Sequence, residues 1–370
     1  MHSEDLAAVI ARARSHSLAD IPRRSARKQP DKTAIIDGDV VLSFADFDRL
    51  VDRAAAAFHD NGLRPGDRVA LLAHNCWQYA VLAFATARAG VVLVPINFML
   101  TAEEIAYILG HSKATAFLVE ADLVPVAEQA MALSPTVTTK VALIPDGQSP
   151  PHAGWSDFAD WLATTSPAPD VRVDDDQLLR VMYTSGTESR PKGGVMHSSR
   201  SLMWQYISTI VAGSMSGDDV EVHSLPLYHC AQLDNFLATD IYLGGATSII
   251  VPPRPDPELV LRAIERYGVT NYFAPPPTVW ISLLRSPVFD EVDLSSLRKG
   301  YYGASPMPTE ILYEMRQRLP NLRLWNFYGQ TEMAPPLASA LGPDEQDAHA
   351  GGSGGAAGRQ CRNRHPRRGG

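Results

Sequence analysis

The stretch LLRVMYTSGTESRPKGGV, residues 178–195, joins an apolar run to a loop rich in hydroxyl side chains and glycine. Glycines let backbone N–H groups surround an anion, hydroxyls add hydrogen-bond donors, and a lysine adds positive charge. The pattern therefore predicts a strand that leads into a phosphate-binding loop. The candidate phosphate ligands are Thr184, Ser185, Gly186, Thr187 and Lys192.

This loop does not have the pattern of a Walker loop. That motif requires Ser or Thr directly after Gly-Lys, whereas Lys192 follows Pro191 and precedes Gly193 and Gly194. The loop is therefore predicted to bind phosphate in a different way. A surface turn rich in serine and glycine is the alternative interpretation.

Apolar β-type runs alternate with amphipathic helical runs on both sides of the loop. Ser43 is expected to cap a helix over 44–59, and Thr101 with Glu104 has the pattern of a capping box. The alternation predicts an α/β fold with two βα subdomains, whose mixed, largely parallel sheets bind ligands at the carboxyl ends of their strands. The predicted strands are 33–36, 40–42, 68–73, 91–96, 114–119, 178–183 and 247–251, and the other predicted helices are 77–89, 201–211 and 258–267.

Changes in composition divide the chain into segments. Prolines and a run of aspartates mark 145–176 as a connecting segment between a first α/β subdomain, 31–144, and a second, 177–350. Residues 1–30 form a predicted N-terminal leader. Residues 351–370 contain seven Gly, five Arg and no acidic residue, and such a composition cannot build a core.

The 370-residue chain is 45% hydrophobic and 20% charged, which is typical of a globular protein. Its net charge of -8 argues against a nucleic-acid partner, because phosphates favour a basic surface. No apolar stretch approaches the roughly 20 residues of a transmembrane helix, and the N-terminus lacks the pattern of a secretion signal. We expect a cytoplasmic protein, with peripheral membrane contact left open. Three widely spaced cysteines suggest neither a disulfide framework nor a zinc site.

Residues 183–193 resemble the signature loop of the adenylate-forming superfamily, which contains acyl-CoA synthetases, luciferases and the adenylation domains of peptide synthetases. Three further segments resemble landmarks of that superfamily and occur in its order: SLPLYH at 224–229, YGASPMP at 302–308 and NFYGQTE at 326–332. One departure is Glu188-Ser189, where the superfamily usually has Thr-Gly, and it predicts altered mobility of the loop.

The resemblance implies that the protein activates a small-molecule carboxylic acid, with ATP, Mg²⁺ and coenzyme A as its cofactors. The catalytic residues that it implies are Lys192, Thr187 and His229. Nucleotide contacts are implied for Thr184, Ser185, Gly186, Thr187, Lys192, Gly303, Ala304, Ser305, Asn326, Tyr328, Gly329, Gln330 and Thr331. The implied magnesium ligands are Glu332 and Thr184, and the implied lining of the substrate tunnel is His229, Cys230, Gln232 and Trp280.

Each of these assignments has a structural alternative. His229 could be an ordinary core histidine, and Glu332 could be a carboxylate at a helix start, where it favours the helix dipole. Residues 302–305 could be a loop packed on a core. Their small side chains would equally allow a flat purine to lie against the backbone.

The implied tunnel is largely apolar, which favours a fatty or otherwise apolar acid. An aryl or branched acid and a carrier-protein thiol in place of coenzyme A stay open. Asp234 lies just beyond His229 and would suit the amino group of a substrate, so an amino-acid adenylation domain is a further alternative.

The resemblance also implies an N-terminal domain with part of a β-rich third subdomain. Beyond Glu332 the sequence shows no counterpart of the superfamily's ribose-binding Asp, its hinge or its small C-terminal domain. The change of composition near Gly351 favours a frameshift or truncation over a native basic tail. We expect such a chain to form no thioester and to show little or no ATP–pyrophosphate exchange. A catalytically inactive remnant that at most binds nucleotide is therefore the alternative function.

Overall fold

The computed structural model describes residues 16–143, 153–185, 191–252, 256–333, 337–344 and 346. The strands in chain order are β1 (Thr33–Asp37), β2 (Val40–Ser43), β3 (Arg68–Leu72), β4 (Val92–Ile96), β5 (Ala114–Glu120), β6 (Thr139–Leu143), β7 (Ser156–Asp157), β8 (Leu178–Ser185), β9 (Pro191–Ser198), β10 (Val220–His223), β11 (Thr247–Ile250), β12 (Asn271–Phe273), β13 (Lys299–Gly303), β14 (Arg323–Gly329) and β15 (Leu337–Leu341).

The α-helices in chain order are α1 (Ile21–Lys28), α2 (Phe44–Asp60), α3 (Trp77–Arg88), α4 (Ala102–Ser112), α5 (Val124–Leu133), α6 (Phe158–Trp161), α7 (Ser199–Gly213), α8 (Cys230–Gln232), α9 (Ala238–Leu243), α10 (Pro257–Tyr267), α11 (Pro277–Leu284) and α12 (Thr309–Arg318). A π-helical turn, Leu233–Leu237, joins α8 to α9. None of the described helices has both the length and the apolar character that a membrane crossing requires.

Two sheets organise the fold, and the prediction of an α/β protein with largely parallel sheets is confirmed. The first sheet has the order β7-β6-β5-β3-β4-β8-β9, and the second has the order β15-β14-β13-β12-β10-β11-β1-β2. Among the described strands, antiparallel pairing occurs only at edges of the sheets: β8 with β9, β1 with β2, and β14 with β15. Strand β15 thus extends the second sheet at the point where the sequence predicted part of a β-rich third subdomain.

The centre of the first sheet is buried on both faces, as is typical of parallel strands covered by helices. Val69 and Leu71 of β3 belong to one hydrophobic core, whereas Ala70 and Leu72 belong to another. Successive side chains of a strand point to opposite faces. The continuous apolar run of β3 therefore packs into two layers at once.

The helix starts predicted from sequence are confirmed. The Ser43 side chain accepts a hydrogen bond from the Asp46 N–H, and the Asp46 carboxylate accepts one from the Ser43 N–H in return. Thr101 and Glu104 form the same reciprocal pair at the start of α4. Each box satisfies two backbone donors that the helix itself leaves unpaired.

The subdomain boundaries read from sequence do not coincide with the sheets. Strands β1 and β2, which lie within 31–144, pair into the second sheet beside β11, whereas β8 and β9 complete the first sheet. Pairing follows hydrogen-bond register rather than chain order, so each sheet takes strands from both sides of 145–176. Residues 16–30 of the predicted leader also belong to the fold, because Leu18 and Ile21 are buried in a core.

Strands β8 and β9 form the antiparallel hairpin that carries the predicted phosphate loop at its tip. A Cβ atom built on Gly194 of β9 would collide with the Val181 side chain of β8, whereas a Cβ at the adjacent Gly193 would meet nothing within 4 Å. The two strands therefore fit against each other only because residue 194 has no side chain.

We expect Gly194→Ala to lower the free energy of unfolding by about 1–3 kcal/mol, the usual cost of inserting a methyl group into a packed site. Gly193→Ala is the matched control, and it should change the free energy by less than about 0.5 kcal/mol. Urea unfolding at equilibrium measures both. Equal effects of the two substitutions would contradict the close approach at Gly194.

Candidate functional site

A cavity of about 300 Å³ lies at the carboxyl ends of four parallel strands of the second sheet, β10, β12, β13 and β14. The chain segments that leave these strands converge there, as the rule for open α/β sheets predicts. The cavity is lined by Leu225, Pro226, Tyr228, His229, Cys230, Ala231, Gln232, Asn235, Phe273, Pro275, Pro276, Gly303, Ala304, Phe327, Tyr328, Gly329, Gln330 and Thr331. Three of the four motifs singled out from sequence therefore contribute to one cavity.

The backbone itself forms one wall of the cavity. Gly303 ends β13 so close to β14 that a Cβ atom there would collide with the Phe327 carbonyl oxygen. The next residue, Ala304, has φ 64°, a left-handed conformation that is uncommon for residues other than glycine. Backbone held in this region is typical of functional sites. Small side chains leave this wall open to a flat ligand.

Aromatic side chains form a second wall. Phe273 and Phe327 line the cavity, and Phe236 lies behind them. The Phe236 ring stacks on Phe273 with centroids 4.0 Å apart and on Phe327 with centroids 6.0 Å apart. Such stacks fix the rings in place and make this wall rigid and apolar.

His229 begins α8, and its ring is accessible from the cavity. Its Nδ1 accepts a hydrogen bond from the Ala231 N–H at 3.1 Å, so the neutral ring carries its proton on Nε2. His229 is exposed at the cavity, but the protein atoms around its ring partly desolvate it and lower its pKa below the ordinary value, while Asp234 opposes this shift. His229 is therefore neutral at physiological pH.

Cys230 lies beside His229 and is buried. Burial raises the pKa of its thiol to about 12, against the opposing hydrogen bond to Thr331, whose Oγ1 lies 3.2 Å from the sulfur. The thiol is therefore protonated and unreactive at neutral pH. Its contact with Thr331 joins the segment after β10 to the segment after β14.

Gln232 is held from behind by a buried chain of polar groups. Its Oε1 accepts the Leu225 N–H at 3.3 Å, which leaves its amide nitrogen to donate to His223 Nδ1 at 2.7 Å. His223 then carries its proton on Nε2, 3.2 Å from a carboxylate oxygen of Asp240. The orientation of Gln232 in the cavity wall is therefore fixed at both ends of its amide.

The predicted metal ligands come together although 148 positions separate them in the sequence. The Thr184 hydroxyl at the end of β8 donates to Glu332 Oε1 at 3.4 Å. The hairpin register pairs Thr184 with Lys192 and Ser185 with Pro191. Gly186 and Thr187, and the side chains of Ser185 and Lys192, lie outside the described residues.

The predicted nucleotide and tunnel residues divide into two groups. His229, Cys230, Gln232, Gly303, Ala304, Tyr328, Gly329, Gln330 and Thr331 line the cavity. Trp280, Ser305 and Asn326 do not.

Physical reasons account for the residues that lie elsewhere. Trp280 is buried in the core of the second sheet, where its indole N–H donates to the Tyr301 carbonyl at 3.2 Å and its ring packs edge-on against Tyr272. Asn326 precedes Phe327 in β14, so the alternation of the strand turns it to the opposite face. Ser305 is exposed to solvent.

Sequence reasoning missed the end of β12 and the segment after it, which supply Phe273, Pro275 and Pro276 to the cavity. The signal was present as a short apolar run that ends in three prolines at 275–277. An apolar run of that kind bounded by proline is consistent with a buried strand, whose carboxyl end would lie at the ligand edge. Asn235 of the π-helical turn was also missed, although residues three positions apart, such as Gln232 and Asn235, lie on one face of a helix.

Behind the cavity, Arg180 of β8 forms an ion pair with Asp234 of the π-helical turn. Both side chains are buried, and the Tyr206 hydroxyl donates to the same Asp234 oxygen at 3.4 Å. Asp234 therefore does not face the cavity, and the amino group for which the sequence suggested it would find this carboxylate already paired. Removing one partner of a buried ion pair leaves an uncompensated charge, which typically costs about 3–5 kcal/mol.

His197 of β9 lies opposite Arg180 in the hairpin register and is fully buried. Neither of its ring nitrogens has a hydrogen-bond partner in the described part of the chain. Burial lowers its pKa below the ordinary value of 6.5, with Asp234 opposing the shift and Arg180 adding to it. The neutral ring is therefore the form that the fold accepts.

We expect the pKa difference at His197 to make the protein less stable in acid. Below about pH 6.5 the unfolded chain binds a proton at this residue, whereas the folded protein does not until the pH falls further to its lowered pKa. The free energy of unfolding should therefore fall as the pH is lowered through 6.5, and His197→Leu should reduce that slope. Urea unfolding at pH 7.5 and 5.5 measures the effect.

His59→Gln is the control for this experiment, because His59 is exposed on α2. It should keep the wild-type dependence on pH. Since replacing an unpaired buried polar group by an apolar one is often neutral or stabilising, His197→Leu should also not destabilise the protein at pH 7.5. A wild-type slope in the Leu variant would contradict the assignment to His197.

The sequence of this chain is similar to those of a known protein family and of several characterised proteins. A family model described as AMP-binding enzyme matches residues 22–363. A feruloyl-CoA synthase of Amycolatopsis sp is 32% identical over 322 residues, which cover 87% of this chain and 61% of that protein. The 4-coumarate–CoA ligase 5 of Oryza sativa subsp. japonica is 33% identical over 320 residues, which cover 84% of this chain and 57% of that protein. The chain thus spans less than two thirds of the length of these relatives.

Solved structures have a fold similar to that of this chain. The inhibitor-bound N-terminal domain of FACL13 from Mycobacterium tuberculosis superposes with a TM-score of 0.78 and 26% sequence identity, covering 90% of this chain and 81% of that domain.

Proposed function

Because the chain belongs to the AMP-binding enzyme family, we propose that it uses ATP to convert an apolar carboxylic acid into an acyl-adenylate. The observation that carries this proposal is the shared cavity. Acid-side residues such as His229 and Phe273 line it together with nucleotide-side residues such as Gly303 and Tyr328. The contact of Thr184 with Glu332, next to the cavity residue Thr331, brings the phosphate-loop strand to the same edge.

The chemistry requires positioning rather than a general base. A carboxylic acid has a pKa near 4, so it is already ionised at neutral pH and can attack the α-phosphate directly. A carboxylate oxygen forms the new bond to phosphorus while the bond to pyrophosphate breaks. His229 and Cys230 are neutral, so neither adds negative charge beside the incoming carboxylate. The rigid wall of Phe273 and Phe327 would hold the acid and exclude water from it.

Magnesium fits the oxygen atoms at the edge of this site. Mg²⁺ prefers oxygen ligands and is usually held by one or two carboxylates together with substrate phosphates and water. Glu332 and Thr184 would hold it, and when bound it supplies charge neutralisation for the phosphates. In the described residues no group of three or more His, Cys, Asp and Glu side chains is arranged to hold a metal.

The shape of the cavity favours a compact apolar acid. The relatives named above are a feruloyl-CoA synthase and a 4-coumarate–CoA ligase, and both names refer to aromatic acids. The rings of Phe273 and Phe327, which Phe236 supports from behind, would contact an aromatic ring of the substrate well. We therefore favour an aryl acid over a long fatty acid within a cavity of about 300 Å³. In the second half-reaction, the thiol of coenzyme A would displace AMP.

Binding of stable acyl-adenylate analogues tests this proposal. We expect sulfamoyl adenosines that carry a feruloyl or coumaroyl group to bind more tightly than sulfamoyl adenosine without an acyl group, and more tightly than a long-chain fatty analogue. Titration calorimetry measures each affinity. If no acyl group strengthens binding, the proposed acid site is wrong; if only the fatty analogue binds well, the preference for aryl acids is wrong.

The same acids can be used in a pyrophosphate exchange assay. Exchange of labelled pyrophosphate into ATP that depends on the acid reports the first half-reaction, and thioester formation reports both. The prediction from sequence of weak exchange and no thioester is thereby tested on this chain, separately from whether the cavity binds the acyl-adenylate analogues.

We expect Glu332→Gln to weaken magnesium-dependent binding of ATP. The amide keeps the shape of the side chain but removes a negative charge, so the Mg²⁺ concentration for half-maximal ATP binding should rise by roughly tenfold or more. Calorimetric titration of ATP at several Mg²⁺ concentrations measures this shift. Glu310→Gln is the control, because Glu310 is an exposed carboxylate at the start of α12. This variant should have the same Mg²⁺ dependence as the wild-type protein. An unchanged Mg²⁺ dependence in Glu332→Gln would remove Glu332 from the metal site.

A further inference from the structure

We propose that the buried Arg180–Asp234 ion pair is a positioning device that couples the phosphate-loop hairpin to the acid-binding wall, so that ATP and the acid bind cooperatively. This inference rests on the proposed function, since it concerns the two substrates of the same site. Neither residue lines the cavity, and both act through neighbours that do.

The first argument is placement along the chain. Arg180 lies in β8, the strand that ends at Thr184 and Ser185 and leads into the phosphate loop. Asp234 lies in the π-helical turn, next to Asn235 and two positions after Gln232, and both of those residues line the cavity. The ion pair therefore joins one strand of the phosphate-loop hairpin to a turn that contributes to the cavity wall.

The second argument is the geometry of the pair. Arg180 Nη1 and the Tyr206 hydroxyl both donate to Oδ1 of Asp234, whereas Asp234 Oδ2 and Arg180 Nε have no hydrogen-bond partner in the described residues. All of these atoms lie in the protein interior, away from water. Electrostatic interactions there are strong and sensitive to distance. A shift of the hairpin that moved Arg180 would therefore carry Asp234 and the π-helical turn with it.

The third argument is that stability alone is a poor reason for such a pair. A buried ion pair is often no more stabilising than well-packed apolar residues of similar volume, because both charges must lose their water. The unpaired Oδ2 and Nε atoms make this pair less complete still. Its position between two ligand-binding segments gives it a role that apolar packing would not perform, since apolar contacts can slide whereas a charged hydrogen bond fixes direction.

The π-helical turn is suited to transmit such a shift. Single π-helical turns are often found at functional sites, where the extra residue in the turn alters the faces of the helix. Here Gln232 before the turn and Asn235 within it both reach the cavity. Asn235 also accepts a hydrogen bond from Gln205 of α7, the helix that follows β9 directly. A second connection thus runs from the hairpin to the same wall.

The test uses the double variant Arg180→Met with Asp234→Asn, because either single substitution would leave a buried charge and could prevent folding. The double variant has no charge at either position and keeps about the same side-chain volume. The asparagine side chain at position 234 would also keep an oxygen that can accept the hydrogen bond from the Tyr206 hydroxyl. The control is Lys299→Met with Asp219→Asn. That pair is also largely buried, with Nζ and Oδ2 2.7 Å apart, but it lies at the amino end of β13, away from the cavity.

The first readout is the coupling between ligands. In the wild-type protein and in the control, saturation with the best-binding acid of the panel should lower the Kd of a nonhydrolysable ATP analogue by about five- to 150-fold, the usual range of coupling between sites. In the Arg180→Met, Asp234→Asn variant this factor should fall towards one, while each ligand alone still binds. A coupling factor in the variant equal to that of the wild type would overturn the proposal, as would the same loss in the control.

The second readout needs no acid and separates this inference from the proposed function. In hydrogen exchange of the ligand-free protein, the variant should lose protection in the π-helical turn and in β8–β9 together, whereas the control should lose it in neither. If the wild-type protein binds no acid, the proposed function fails while the exchange result still decides whether the ion pair links the two segments. A loss of protection in the hairpin or the turn alone would overturn the link.

Discussion

The parallel pairing of β10, β12, β13 and β14 is the constraint on which the site depends. Because these strands point in one direction, the segments that leave them meet at one edge of the sheet, however far apart they lie in the sequence. The closest of these approaches is that of Gly303 to the Phe327 carbonyl, which leaves no room for a side chain. The cavity is thus a product of sheet geometry first, and of side-chain chemistry second.

Charge is arranged in layers around this cavity. The groups that face it are neutral or apolar, including the His229 ring, the Cys230 thiol and the aromatic wall. The ionisable groups of the interior lie one layer behind, where Arg180 meets Asp234 and His223 meets Asp240. The proposed ligands, a carboxylate and a triphosphate, would bring negative charge with them, and the protein's own Asp234 and Asp240 lie behind the wall while Glu332 lies at the edge, where a cation could balance it.

The sequence allowed much of this to be predicted, and the limits of prediction have physical causes. The class of fold, the helix cap at Ser43 and the capping box at Thr101 followed from local patterns, and nine of the residues implied by the family resemblance line one cavity. Sheet membership did not, because the pairing of β1 with β11 is decided by long-range hydrogen bonds that no local pattern contains. Trp280 was misplaced because a motif gives the order of residues but not the face of the helix on which each one lies. Asp234 was considered as a contact for an amino group only in the alternative of an amino-acid adenylation domain, and its burial against Arg180 could not be foreseen because it depends on a strand more than 50 positions earlier.

The exchange of strands between the two sheets has a consequence for how the chain is made. Ile35 of β1 finds its partner Ser248 only after the intervening residues have left the ribosome, which takes roughly 10 to 40 s at 5–20 residues per second. During that interval the edge of β1 that later pairs with β11 is open, in addition to the outer edge of β2, and exposed edges of this kind favour aggregation. Strand β1 is in that sense synthesised well before the strand that fixes its place in the second sheet.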